Sequence, residues 1–245
     1  MKKLLVLTLA LVFSLSVNCF AAVMGEDMAL FKKAQKHMEK PERTDVRSLV
    51  TLTKNDKSVI WNKTGDKVLL VNFTKDASDY KIGTSDLFSK NIWCFSQKEI
   101  ADWYALNKNQ MGPDPRMRIR KLTGLAPNAQ EDTFVLFWVD PRVVLRPANQ
   151  TNVFVDAMEI HSQAYKDATA KGSEHDMFNL KQISLEKKIR HSSDRVATHL
   201  GYTYDWGRPG HQYGLTEFMI PPFNSATIVA VVSFKDYFKN IETYK

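Results

Sequence analysis

The stretch His199–Phe218 holds most of the side chains in this sequence that could carry chemistry. Asp205, His211 and Glu217 are of the types that commonly act as general acids and bases. If the stretch forms an enzyme site, we expect Glu217 or Asp205 to be the general base and His211 to be the acid or the orienting group. The structural alternatives are an outward-facing strand position for Glu217 and a solvated loop for His211.

The same stretch is rich in side chains that could bind a ligand. Tyr202, Tyr204 and Trp206 offer flat rings that could stack on a carbohydrate, a peptide or a nucleotide-like molecule. Arg208 offers a cation that could bind an anionic group. The alternative is a structural aromatic corner, in which the three rings pack on a sheet and Asp205 caps a turn.

Motifs for metals and cofactors are absent from the sequence. The six histidines are scattered without HExxH spacing, no CxxC occurs, and Glu174–Asp176 is interpreted as a polar loop. No GxSxG elbow, Walker loop or GxGxxG loop is found. We therefore expect no metal and no cofactor, and nothing local supports a nucleophilic serine, an NTPase or a dinucleotide-binding enzyme.

The composition is that of an ordinary globular protein. The chain has 245 residues, of which 44% are hydrophobic and 25% charged, so it can bury a core and is long enough for one domain. The formal charge is +7, and loss of Lys2 and Lys3 with a leader would leave +5. This mild excess without a recognition motif predicts no nucleic-acid partner.

The N-terminus has the pattern of a secretory signal peptide. Two lysines precede a mostly apolar run, Leu4–Leu15, which is too short to cross about 30 Å of hydrocarbon. Small residues at Cys19 and Ala21 fit cleavage after Ala21. Lipidation of Cys19 would need a small residue before it, where Asn18 stands. We expect a periplasmic or secreted protein without a transmembrane segment.

The remaining chain predicts an N-terminal helical arm over residues 22–45 and a single domain over residues 46–245. Glu26–Lys40 is an amphipathic helix and is expected to be peripheral. Ser96 and Glu99 form a capping-box pattern for a second helix. Asp114 and Pro115 mark the start of a third helix, which ends at Gly124.

Apolar runs predict strands that are mingled with these helices. We predict a hairpin of Val59–Trp61 with Val68–Phe73, and further strands at Ile92–Phe95, Thr133–Val139, Leu215–Ile220 and Thr227–Phe234. Two polar helices are predicted at Asp156–Lys171 and Leu180–Leu200. Because βα units do not alternate regularly, the fold class is α+β, with a mixed or antiparallel sheet and several flanking helices.

Only one cysteine, Cys94, would remain after removal of the leader. It cannot form an intramolecular disulfide, and its aromatic and apolar neighbours predict a buried, unreactive thiol.

Several ordered motifs resemble a family of exported bacterial proteins without an established activity. They are "IWCFSQKEIADWY" (Ile92–Tyr104), "LTGLAP" (Leu122–Pro127), "FWVDPRVVLRP" (Phe137–Pro147), "LGYTYDWG" (Leu200–Gly207) and "GLTEFMI" (Gly214–Ile220). Members often carry cysteines after the "RP" element, where this chain has Ala148 and Asn149. The resemblance implies an exported single α+β domain.

A second likeness concerns Glu217–Pro222 and the strand that follows. It is similar to the last strands of ADP-ribosyltransferases, in which a glutamate opens a strand that runs into a proline-bearing turn. An early arginine strand and a Ser-Thr-Ser segment, which also belong to that pattern, have no clear match here.

Two functions follow as hypotheses. The first is an exported protein that binds a ligand through the surface 199–217 without catalysis. The second is an enzyme of the hydrolase or glycosyl- or ADP-ribosyl-transferase type that uses the acid–base groups named above. Geometry decides between them, and the most useful observation is whether Asp205, His211 and Glu217 line one concave pocket. Side chains scattered over a convex face would oppose both hypotheses.

We predict that Met1–Ala21 is removed during export, because the small side chains at Cys19 and Ala21 suit a signal peptidase. N-terminal sequencing of the protein recovered from the exported fraction should begin at Ala22. A chain that retains Met1, or one that begins at a lipidated Cys19, would contradict this.

Overall fold

The computed structural model describes residues 23–156, 158 and 194–244. The predicted signal peptide and nearly all of the predicted helix Asp156–Lys171 lie outside these residues. Of the predicted helix Leu180–Leu200, only residues 194–200 are described, and they are not helical. They pair instead with the chain after Gly124, as Val196 N–H donates to Gly124 O at 2.8 Å. That part of the prediction was wrong.

Eight strands build two antiparallel sheets. In chain order they are β1 (Val68–Thr74), β2 (Ser85–Leu87), β3 (Ile92–Ser96), β4 (Thr133–Val139), β5 (Tyr202–Tyr204), β6 (Tyr213–Thr216), β7 (Phe218–Ile220) and β8 (Ser225–Ser233). The main sheet has the order β2-β8-β4-β1-β3-β7, and β5 pairs with β6 in a second, two-stranded sheet. This architecture confirms the predicted α+β class with an antiparallel sheet.

Four α-helices and several 3-10 turns lie in the described residues. The α-helices are α1 (23–38), α2 (Gln97–Asn107), α3 (Pro115–Leu122) and α4 (Phe234–Asn240). The 3-10 turns are Arg43–Asp45, Ala77–Asp79, Lys108–Gln110, Pro141–Val143 and Ile241–Tyr244. None of these helices has the length and the apolar composition needed to cross a membrane.

The two central strands, β1 and β4, are apolar on both faces because both faces of the sheet are covered. Every residue of β1 is buried, and its side chains alternate between two core clusters, with Leu70 in one and Leu69 and Val71 in the other. Helices α2, α3 and α4 cover the second cluster, whereas loop residues such as Leu52 and Phe88 cover the first.

Two predicted strands differ from the structure. Val59–Trp61 contributes only an isolated bridge between Trp61 and Val68. Leu215–Ile220 is divided at Glu217 into β6 and β7, which belong to different sheets. Glu217 N–H donates to Gly201 O at 3.0 Å, which extends the β5–β6 pairing by one residue, and Phe218 then pairs with Cys94 in the main sheet.

The starts of α2 and α3 were predicted correctly, but one cap was not. Asp114 caps α3 by accepting a hydrogen bond from Met117 N–H at 3.0 Å, as expected. Helix α2 begins after Ser96 without the predicted capping box. The Ser96 hydroxyl donates instead to the carbonyl of Ser58, and Glu99 bonds to a distant strand.

Helix α1 packs against the domain through a core cluster of its own. Phe31 contacts Trp206 edge to face, with ring centroids 6.0 Å apart. Asp27 is 5% exposed and pairs with Lys121 at 2.6 Å. These buried contacts make the helix part of the domain's core and not a peripheral arm.

Cys94 is fully buried in β3, as predicted. Its thiol donates to Phe218 O at 3.5 Å, and burial raises the pKa of the thiol well above its usual range. Both properties oppose formation of the thiolate that would make the cysteine reactive.

Candidate functional site

Asp205 is committed to a buried ion pair. Arg118 donates to its two carboxylate oxygens at 3.0 and 2.6 Å, and Gly207 N–H adds a third bond at 3.1 Å. The guanidinium of Arg118 also lies over the ring of Trp103. Because Asp205 is only 1% exposed, this arrangement agrees with the structural alternative, in which Asp205 fixes a turn.

The rings of the same stretch are largely packed inside the protein. Tyr202 and Trp206 are buried, and their polar atoms donate to the main chain, Tyr202 Oη to Asp45 O and Trp206 Nε1 to Leu125 O. Burial raises the pKa of Tyr202 far above its usual range. Tyr204 is half-buried, and its hydroxyl lies 2.9 Å from Nδ1 of His37 on α1. These contacts are those of an aromatic corner.

Arg208 and His211 lie at the rim of this corner. Arg208 is half-buried and donates to Asn107 Oδ1 at 3.2 Å, whereas His211 is exposed in a loop. His211 therefore occupies a solvated loop position, which agrees with the structural alternative for this residue.

Glu217 lies apart from these residues, in a cleft of about 260 Å³. The ring of Trp93 lines this cleft, and its charged lining residues are Lys75, Asp76, Lys90, Glu131, Asp194, Arg195 and Glu217. None of the other predicted site residues lines this cleft in the described part of the chain. The structure thus separates Glu217 from Asp205 and His211, and the catalytic and binding roles assigned to all of them stay predictions.

The environment of Glu217 disfavours its charged form. Loss of solvent raises the pKa of its carboxyl to about 7, and the positive charge of Arg195 partly opposes that rise. Within the described residues no basic side chain lies within 4 Å of the carboxylate. A pKa raised in this way is common for groups at functional sites.

The main chain around Glu217 is fixed from both sides. The carboxylate of Glu99 on α2 accepts hydrogen bonds from Thr216 N–H at 2.9 Å and from Thr216 Oγ1 at 3.1 Å. On the other side Phe218 pairs with Cys94 in the main sheet. Glu217 therefore projects from a rigid junction between the two sheets.

Arg195 is held with similar precision although it belongs to no long element. Its main chain forms a bridge with Leu125, and its carbonyl accepts a hydrogen bond from Gln35 Nε2 on α1 at 3.1 Å. Gly124 permits this close approach, because its φ of +68° is left-handed and a Cβ there would lie 3.3 Å from Val196 O. The Arg195 guanidinium stacks over Trp93, 4.7 Å from the ring centroid.

Two buried charged groups next to this junction are not evident from the sequence. Glu99, assigned there to a helix cap, is 13% exposed, and burial raises the pKa of its carboxyl to about 7 although Arg47 lies 3.7 Å away. Arg146 is fully buried; its Nη2 donates to Val50 O and Val155 O, and burial lowers its pKa to about 10. No local pattern distinguishes such residues from solvated ones, because their partners are distant in sequence.

Among the described residues, no three His, Cys, Asp or Glu side chains lie close enough together to hold a metal ion. No protein-family model matches this chain, and neither a curated protein nor a solved structure matches it.

We predict that Trp206→Ala lowers the free energy of unfolding by about 3–5 kcal/mol, the usual effect of deleting a buried aromatic ring. Chemical denaturation with the fluorescence of the remaining tryptophans would measure it. Leu106→Ala is the control, because Leu106 is 82% exposed on α2 and its truncation should change stability by no more than about 0.5 kcal/mol. Equal effects of the two substitutions would contradict the buried role of Trp206.

We also predict that Glu217→Gln changes how stability depends on pH. The folded-state pKa of about 7 lies above the ordinary value of 4.5, so Glu217 favours folding in its protonated form, and this contribution is lost as pH rises through about 7. Glutamine stays neutral. The melting temperature of the variant should therefore match the parent near pH 4.5 and exceed it above pH 7.

The control for this measurement is Glu39→Gln, which removes an exposed glutamate outside the cleft and should leave the pH profile unchanged. A Glu217→Gln protein that melts well below the parent at every pH would instead place Glu217 in a structural hydrogen-bond network.

Proposed function

We propose that this is an exported protein of a bacterial envelope or exterior that binds a small polar ligand in the cleft beside Glu217. The signal-peptide pattern and the resemblance to exported bacterial proteins support export. A cleft of about 260 Å³ with charged and aromatic walls supports a small ligand.

One observation supports a binding site at Glu217. Glu217 places a carboxylate in a desolvated cleft without an ion pair within the described residues, and this arrangement raises its pKa to about 7. Such a group reduces stability at neutral pH, and proteins commonly retain destabilising polar groups where function requires them.

The proposed ligand binds in the cleft and not on the aromatic residues of the surface 199–217. Tyr202, Trp206 and Asp205 make buried contacts within the domain, and none of them lines the cleft. Their contribution is to fix the frame from which Glu217 projects.

A second candidate is an enzyme, of the hydrolase or glycosyl- or ADP-ribosyl-transferase type. The pKa of Glu217 favours it, since a group that titrates near the working pH is suited to donate and accept protons. Asp205 and His211 lie outside the cleft lining, so Glu217 would be the acid–base group in this mechanism.

The test is a thermal-shift screen of the mature protein with monosaccharides, free amino acids and nucleotides. A ligand at 100 times its Kd should stabilise the folded state by about 2.7 kcal/mol. We expect at least one class to raise the melting temperature of the parent and of Glu39→Gln, but not of Glu217→Gln. Equal stabilisation of all three proteins, or of none, would contradict the proposal.

Prolonged incubation with the compound that binds separates the two candidates. If mass spectrometry recovers the compound unchanged, the protein is a binding protein. Conversion that Glu217→Gln abolishes would identify the enzyme.

A further inference from the structure

Arg195 presents its guanidinium to the cleft. Within the described residues its guanidinium donates no hydrogen bond, and its nearest carboxylate is that of Asp194, 4.0 Å from Nε. Asp194 is 70% exposed there, so water weakens this pair. The Arg195 side chain is 23% exposed and stacks on Trp93, which holds the planar fork in place. A fixed fork of this kind is suited to bind a carboxylate through two parallel hydrogen bonds.

Glu217 supplies a carboxylate to the same cleft, opposite in charge to the guanidinium of Arg195. It lies more than 4 Å from the guanidinium, yet near enough for Arg195 to lower its pKa. The two groups therefore face the cleft as a separated cation and anion. A ligand that brings its own positive group to Glu217 would restore the full negative charge on that carboxylate.

The walls of the cleft carry charges of both signs. A plain anion would meet the carboxylates of Asp76, Glu131, Asp194 and Glu217, and a plain polyamine would meet Lys75, Lys90 and Arg195. A molecule with a carboxylate and an ammonium group satisfies both poles, and its net charge is zero. A cleft of about 260 Å³ is of a size for such a small molecule.

We infer that the cleft binds an amino-acid-like zwitterion, with its carboxylate on the Arg195 guanidinium and its ammonium on Glu217. This inference rests on the proposed function, because it assigns a ligand class to the same cleft. Arg195 and Glu217 bind charged groups in it, and Trp93 supports Arg195.

The experiment is isothermal titration calorimetry of the mature protein with three probes of similar size. L-alanine carries both charged groups, N-acetyl-L-alanine lacks the ammonium, and L-alaninamide lacks the carboxylate. We expect L-alanine to bind and each derivative to bind at least about tenfold more weakly, since each leaves one pole unpaired. This comparison needs no substitution and so does not depend on whether a variant folds.

Variants test which residue binds each charged group of the ligand. Arg195→Gln should weaken the binding of L-alanine at least about tenfold and should abolish any remaining binding of N-acetyl-L-alanine. Glu217→Gln should weaken the binding of L-alanine by a similar factor and should abolish any remaining binding of L-alaninamide. Arg142→Gln is the matched control, because Arg142 is exposed and pairs with Asp140 outside the cleft. It should bind L-alanine like the parent.

The outcomes separate this inference from the proposed function. If a sugar or nucleotide binds in a Glu217-dependent way and L-alanine does not, the ligand class is wrong and the binding site stands. Equal binding of the three probes, or L-alanine binding that survives both substitutions, also overturns the inference. If no compound of the screen or of this series binds, both proposals fall.

Discussion

The carboxylate of Glu99 joins the two sheets at the position where the chain passes from one to the other. It accepts both the N–H and the hydroxyl of Thr216, so a helix side chain satisfies polar groups at the end of β6. The chain is then free to leave the second sheet and enter β7, which pairs with β3. Glu217 lies between Thr216, which bonds to Glu99, and Phe218, which pairs with β3. These two contacts fix the main chain from which the Glu217 side chain projects.

The same junction concentrates charge inside the protein. Arg47 lies beside Glu99 and over the rings of Tyr202 and Tyr213, and Arg146 is buried nearby. Buried charges need partners, so these residues restrict how the second sheet, the N-terminal loop and α2 can be arranged. The aromatic corner depends on that arrangement, because Tyr202 reaches the loop at Asp45.

Local patterns predicted the elements whose stability is local or follows from burial on both faces. Strand β4 was predicted over its full range, and α3 with its aspartate cap, because apolar runs and capping residues are visible in sequence. The roles of Ser96 and Glu99 were missed. Their side chains bond to residues 38 and 117 positions away, and no spacing rule reports such partners.

The candidate site was predicted only in part for the same reason. Glu217 was selected because of the residues next to it in sequence, but different residues surround it in the folded protein. Its companions in the cleft, Trp93 and Arg195, come from an early strand and from a segment predicted to be helical. The aromatic residues adjacent to it in sequence belong to the core.

The contact between Gln35 and Arg195 joins positions 160 residues apart, and α1 also packs on Trp206. Helix α1 leaves the ribosome early, yet its binding surface is synthesised close to the end of the chain. Native packing of this helix must therefore wait for nearly complete synthesis, and contacts of such high sequence separation slow folding. If the chain is exported as we propose, late packing of this helix would favour passage of the N-terminal region across a membrane before the fold is complete.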